Sequence, residues 1–144
     1  MSITQTLEDY KALIESLPSK PKVDLFSGTV VEDTLKNIAL SGKQCYVLIA
    51  CGGGPFVSDK PALVCDAVFG AFVIARSDPD TKGVSREAMS MGVEISRLLK
   101  KYRGSSGNNP NLPKIISFEE LLSGFKGNNF SAWQLSWTHF VSFD

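Results

Sequence analysis

An α+β domain, with a mainly antiparallel sheet and helices packed largely on one face, is the architecture this sequence predicts. Three observations lead there. Two segments carry apolar residues at alternating spacings of four and three, two others are dense in apolar and β-branched residues, and a closing segment alternates residue by residue. The first and last patterns are those of amphipathic helices and half-buried strands. Their order, helices interspersed among strands without a regular βαβ repeat, predicts an α+β arrangement in one domain spanning residues 1–144.

The first element is a helix. Ile3, Leu7, Tyr10, Ile14 and Leu17 form one apolar stripe, Ser2 and Gln5 have the spacing of a capping box, and Pro18 and Pro21 end the run. Residues 22–26 then predict a short strand with Val23 and Leu25 on one side, broken at Ser27-Gly28. From Val30 to Leu40 a second, short helix is predicted, because Val31, Leu35 and Ile38 share a face and Ser41-Gly42 closes it.

Residues 44–51 and 62–76 predict strands. Their near-continuous apolarity, with little polar alternation, suits central strands covered on both faces, by helices on one and by a neighbouring subunit on the other. Between them, Gly52-Gly-Gly-Pro-Phe-Val-Ser-Asp-Lys-Pro61 predicts an irregular connection projecting from the sheet. After a polar turn at 77–83, Val84, Ala88, Met91, Ile95, Leu98 and Tyr102 predict the longest helix. Arg97, Lys100, Lys101 and Arg103 crowd its end, where positive charge interacts favourably with the helix dipole. A loop follows at 104–111. Residues 114–122 fit an extended segment, with a helical turn at 118–122 as the alternative. In the closing strand Trp133, Leu135, Trp137, Val141 and Phe143 face the core, and the other side is polar apart from Phe140.

Composition removes several function classes. Fifteen Lys and Arg balance 15 Asp and Glu, so the chain lacks the basic surplus by which proteins neutralise phosphates, and no nucleic-acid readout is expected. Cys45, Cys51 and Cys65 form no CxxC pair and His139 is the sole histidine, so no structural metal and no cofactor is expected; the thiols read as core. No apolar run approaches the ~20 residues of a membrane span, and Met1 to Leu17 has no basic leader before an apolar block, so a soluble protein without membrane partners is expected.

Constellations that would carry chemistry are sparse. Gly52, Gly53 and Gly54 follow a strand, but Pro55, Pro61 and another strand come next, where a phosphate loop needs Gly-Lys-Ser/Thr opening a helix. His139 with Ser136 or Ser142 lacks the strand-to-helix elbow of a nucleophile, and His139 reads as a buried strand residue. Glu8 and Asp9, Glu32 and Asp33, and Glu119 and Glu120 are adjacent pairs, whose side chains diverge on either helix or strand. The aromatic residues near Trp133 and Trp137 lack the basic neighbours of an RNA-stacking platform. No catalytic residue is assigned.

Several segments together resemble a family. These are the N-terminal helix, the Phe26-Ser-Gly-Thr-Val-Val-Glu-Asp33 entry to a short helix, and the Tyr46-Val-Leu-Ile-Ala-Cys51 strand with its glycine-rich loop. The Phe72-Val-Ile-Ala-Arg-Ser77 strand end, the long helix and the closing Phe130-Ser-Ala-Trp-Gln-Leu-Ser-Trp137 strand complete the set. In this order they resemble the small tail proteins of Mu-like phages and prophages, which are similar to phage tail-terminator, or tail-completion, proteins. That resemblance implies a non-enzymatic α+β subunit forming a ring, expected to be hexameric, at the head-proximal end of the tail tube. Its implied partners are further copies of itself, the tail tube and the head-tail connector proteins, met in the cytoplasm of the bacterial host. The resemblance supplies no residue-level site. From the residues themselves, Gly52, Gly53, Gly54, Pro55, Phe56 and Val57 form the candidate contact loop, with the 104–111 loop as the other contact element. The competing expectations are a small ligand-binding or regulatory module of ferredoxin-like type and, less favoured for want of a convergent polar site, a hydrolase or transferase.

Overall fold

The computed structural model describes residues 3–25, 45–58, 63–76, 86–102, 112–122 and 130–143. Within them the chain runs α1 (Ile3–Glu15), β1 (Lys22–Leu25), β2 (Tyr46–Gly53), β3 (Phe56–Ser58), β4 (Leu63–Arg76), α2 (Arg86–Lys101), β5 (Lys114–Leu122) and β6 (Phe130–Phe143). The six strands form one sheet in the order β1-β2-β4-β6-β5, and β3 also pairs with β4. This is a mixed, mostly antiparallel sheet of the α+β class. Its centre is the β4–β6 pair, in register along the whole of both 14-residue strands, from Leu63 opposite Phe143 to Arg76 opposite Phe130.

β1 departs from the antiparallel rule. It lies parallel to β2, with Lys22 opposite Tyr46 and Leu25 opposite Ile49. Parallel neighbours cannot be joined by a tight hairpin and need a crossover of about a dozen residues or more, which the intervening segment is long enough to supply. Direct pairing of β1 with β2 also differs from the ferredoxin-like alternative, in which another strand splits the parallel pair. The short helix predicted at 30–40 and the loop at 104–111 lie outside the described residues.

Strict period-two geometry divides the sheet into two faces. Cys65, Ala67, Phe69, Ala71, Val73 and Ala75 of β4 share one face with Val47 and Ile49 of β2 and with Leu135, Trp137 and Val141 of β6, and all are buried. Both described helices cover this side: Tyr10 and Ile14 of α1 and Ala88, Met91, Ile95 and Leu99 of α2 join the same core cluster. The stripes predicted for α1 and α2 are largely the packed stripes, except that Thr6 is fully buried while Ile3 and Leu7 are only partly so, and that Leu99 lies deeper than Leu98; Val84 lies outside the described residues. Tyr10 sits at the aromatic centre, with ring centroids 5.2 Å from Phe69, 5.1 Å from Tyr102 and 5.3 Å from Trp137.

Two local arrangements fix how the layers meet. Pro18 to Pro21 turns the chain out of α1 with Lys20 in the left-handed region (φ 49°), and Lys20 N–H donates to Leu17 O at 2.9 Å. Across the sheet, Gly92 of α2 sits against the Phe118 ring so closely that a Cβ would lie 2.3 Å from it. Phe118 in turn stacks on Trp133 at 4.9 Å between centroids. β5 is extended throughout, so the helical turn left open at 118–122 does not form; pairing of Phe118 with Leu135 and Leu122 with Ala132 holds the segment in the sheet.

Candidate interaction surface

Over its described residues, 52–58, the predicted projecting loop is largely strand, and that expectation is corrected here; residues 59–61 lie outside the described residues. Gly52 and Gly53 complete β2, Phe56 and Val57 lie in β3, and only Gly54 and Pro55 interrupt the ladder among the described residues. The physical reason is the length of β4, whose backbone continues past Val68 and offers further partners on the β2 side. Gly53 makes the kink at φ 76°, and Gly54 lies so close to β4 that a Cβ there would come 1.9 Å from Asp66 O. Asp66 N–H donates to Pro55 O at 2.9 Å, and Phe56 then pairs with Cys65. Glycine-rich composition suggested a loop, whereas here it permits a bulged strand to hug its neighbour.

What this arrangement displays is apolar. Phe56 and Val57 are 61% and 53% exposed at the tip of the β2–β3 line. The sheet face opposite α1 and α2 is open only in part: Leu48, Ile74 and Ala132 on it are buried, whereas Val68 and Phe140 are exposed. There the register aligns Ala50, Gly70, Ser136 and Ser117 in one row across four strands. On one side of this row stand Leu48, Phe72, Gln134 and Glu119, and on the other Val68, Thr138 and Lys114. The small row is thus a trough between two ridges. A groove of about 640 Å³ follows it from Gln134 and Ser136 over Gly70 to Ala50, continuing past Cys51 to Ile3 and Leu7 of α1. A second groove of about 630 Å³ is lined by Asp66, Leu112, Lys114, Ile116 and Phe140.

Among the described residues, the polar groups singled out from the sequence are not brought together into one site. Ser136 lies on the open face, where Gln134 Nε2 lies 3.3 Å from its Oγ, while His139 points into the helix-covered core. His139 is fully buried, and its Nδ1 lies 2.7 Å from Tyr10 Oη. Desolvation holds the Tyr10 phenol well above its ordinary ionisation range. Asp9 accepts from Gln5 Nε2 at 2.9 Å and from Tyr102 Oη at 3.4 Å, and the Tyr102 hydroxyl is pushed up to about 12, by burial first and then by the Asp9 carboxylate. Glu119 and Glu120 pair with Gln134 and Trp133 on opposite faces, as strand geometry requires. Glu32 and Asp33 lie outside the described residues, as does the side chain of Ser142.

The cysteines belong to packing. Cys45 and Cys65 are buried and Cys51 is half-buried, all as free thiols. Cys45 Sγ donates to Glu87 O at 3.4 Å and Cys65 Sγ to Gly54 O at 3.3 Å. Burial pushes the Cys45 thiol up to about 12, with Glu87 and Glu94 adding to the effect, and it raises Cys65 likewise. Among the described residues no three His, Cys, Asp or Glu side chains cluster as a metal site, and no helix is long and apolar enough to cross a membrane.

Phe56 and Val57, the apolar members of the candidate contact loop, are both exposed, whereas the sequence pattern did not single out Val68, Gly70, Lys114 and Glu119. Gly70 inside a long apolar strand was a usable signal, since a strand glycine marks a place where something can approach closely. Compared with known proteins, the chain matches no protein-family model and no curated protein.

Proposed function

We propose that this chain is a structural subunit of phage or prophage tail assembly, of tail-terminator type, forming a ring that caps the tail tube and helps join tail to head. One observation carries the proposal beyond the sequence resemblance. The sheet buries one face under helices and leaves apolar side chains uncovered at the Phe56–Val57 tip and on its opposite face. Surfaces of that kind mark contacts with other macromolecules. In a ring each subunit presents two different patches, and head-to-tail contacts close on themselves. The Phe56–Val57 tip is the lateral or tube-facing patch in this reading. Its setting is then the host cytoplasm during assembly and afterwards the head-proximal end of the tail.

Native mass by light scattering across concentration, with negative-stain imaging of the same sample, tests it. Rings, alone or on added tail tubes, are the expected outcome. A protein that forms no ring and binds no tube, or a discrete species that tightens only with a small metabolite, would overturn the reading. Phe56→Asp is expected to disturb ring or tube contact while leaving cooperative unfolding of the subunit intact, because the side chain is mostly outside the core.

A further inference from the structure

We infer that copies of this chain join head to tail, the Phe56–Val57 tip of one entering the groove that Leu112, Ile116 and Phe140 line on the next. The inference rests on the tail-assembly reading above and names the two surfaces that meet in its ring.

Exposed apolar side chains are concentrated at these two places. Among the described residues nine large apolar side chains are exposed, and five of them are Phe56 and Val57 at the tip and Leu112, Ile116 and Phe140 at the groove. Phe56 and Ile116, one from each place, are the most exposed of the nine. Tip and groove belong to opposite flanks of β4. β3 pairs with β4 on the β2 side, whereas the groove lies over β6 and β5. With strands about 4.8 Å apart and both β4 and β6 between the two places, a tip held in the β3 ladder cannot reach the groove of its own chain. Another copy has to supply it.

The two surfaces agree in shape and charge. Phe56 pairs with Cys65 and so lies on the helix-covered side of the sheet, Ser58 pairs with Val64 and lies on the other, and Val57 stands in the bulge between them. The tip therefore straddles the plane of the sheet. So does the groove, which takes Lys114 and Phe140 from one side and Ile115 from the other. Its volume of about 630 Å³ is that of clefts that bury a drug-sized molecule, ample for a Phe and a Val side chain. Its charged members, Asp66 and Lys114, have opposite signs, so the groove favours neither an anion nor a cation. Phe56, Val57 and Ser58 bring no charge, which suits an apolar groove with a polar rim.

Height along the strands decides what such contacts build. Phe56 sits opposite Cys65 and Phe140 opposite Asp66, so tip and groove meet β4 at adjacent residues, about 3.4 Å apart along the strand. Copies set side by side about an axis running with the strands then join with almost no rise. That is the condition for a closed ring, whereas head-to-tail contacts with a rise make a filament. The five side chains expose on the order of 400–500 Å² together, short of the ~1,200 Å² at which specific pairs become stable. One contact is therefore weak, and closure holds the ring, because the last contact forms within one assembly at high effective concentration.

Light scattering and cross-linking of the full chain, alone and on added tail tubes, test the inference. Ile116→Asp with Phe140→Asp is expected to raise the concentration for half-assembly about tenfold or more, as Phe56→Asp does from the other side of the contact. Val93→Lys, on the exposed side of α2, leaves it unchanged. Val57→Cys and Ile116→Cys in one chain are expected to give, under a mild oxidant, a ladder of disulfide-linked species ending at the ring, which neither change gives alone. The wild type, whose native thiols are buried or half-buried, is the control. Thermal unfolding of each variant checks that the fold survives. Four outcomes would overturn the inference and leave the tail-assembly reading in place: rings indifferent to the groove variant, rings that need the groove but not the tip and so hold another segment there, cross-linking by Val57→Cys alone, which would put tip against tip, or rings without the ladder. A wild type that neither forms rings nor binds tubes would overturn that reading and this inference with it.

Discussion

At Tyr10 a hydroxyl and the Nδ1 of His139 meet inside an otherwise apolar cluster, which makes this pair costly to break. Tyr10→Phe is expected to destabilise the fold by about 1–3 kcal/mol, measured by urea unfolding, because it leaves the His139 nitrogen without that partner in a site water cannot enter. The two tryptophans divide in the same terms. Trp137 is fully buried and Trp133 only partly, so the Trp137→Ala cost should be about 3–5 kcal/mol and the Trp133→Ala cost clearly smaller. Cys45 gives a pH signature. Its thiol ionises near 9.0 in the unfolded chain but holds its proton to about 12 when folded, so the contribution of this one group to stability is complete below 9.0 and is lost as pH rises toward 12. Thermal unfolding across that window should show the decline, flattened in Cys45→Ala. Burial of these side chains was legible in the sequence, because aromatic and thiol groups at alternating positions can face only one way. The Tyr10–His139 contact was not, since residues so far apart meet only through the tertiary fold.

Elements were read from periodicity, and within the described residues periodicity was right wherever side-chain spacing decided the outcome. α1, α2, β2, β4 and β6 fall where their patterns put them, whereas the 52–61 segment and β5 were decided by their neighbours. Nothing local distinguishes Gly52-Gly-Gly-Pro55 in a free loop from the same residues in a bulged strand; the long edge of β4 does. Gly54→Ala should therefore be among the most damaging glycine substitutions, because its Cβ would strike backbone that cannot move without opening the ladder. A loss of about 2–3 kcal/mol is expected, with reduced protection of the Asp66 amide in hydrogen exchange as the specific readout. Gly92→Ala meets a side chain instead, and the Phe118 ring can swing only by giving up its stack on Trp133. Its effect should be smaller, and visible as altered tryptophan fluorescence.

The molecule as a whole has a sheet whose two faces differ in what covers them. The sequence pointed to two-sided apolarity in the central strands; on the side away from α1 and α2, Leu48, Ile74 and Ala132 are buried while Val68 and Phe140 are exposed, and the assembly reading rests on that exposed part and on the Phe56–Val57 tip. The charges and the trough on that side were beyond reach, because a row across four strands exists only once their register is set. The same register has a consequence for how the protein is made. β4 emerges from the ribosome well before β6, with residues 77–129 still to be synthesised between them. At about 5–20 residues per second that leaves β4 without its longest partner for roughly 3–10 s. During this interval an apolar 14-residue strand has one ladder edge waiting, so early helix docking or a chaperone is expected to shield it. A ribosome-bound chain stalled before residue 130 should bind chaperone and resist compaction, and release of the stall should let the core close.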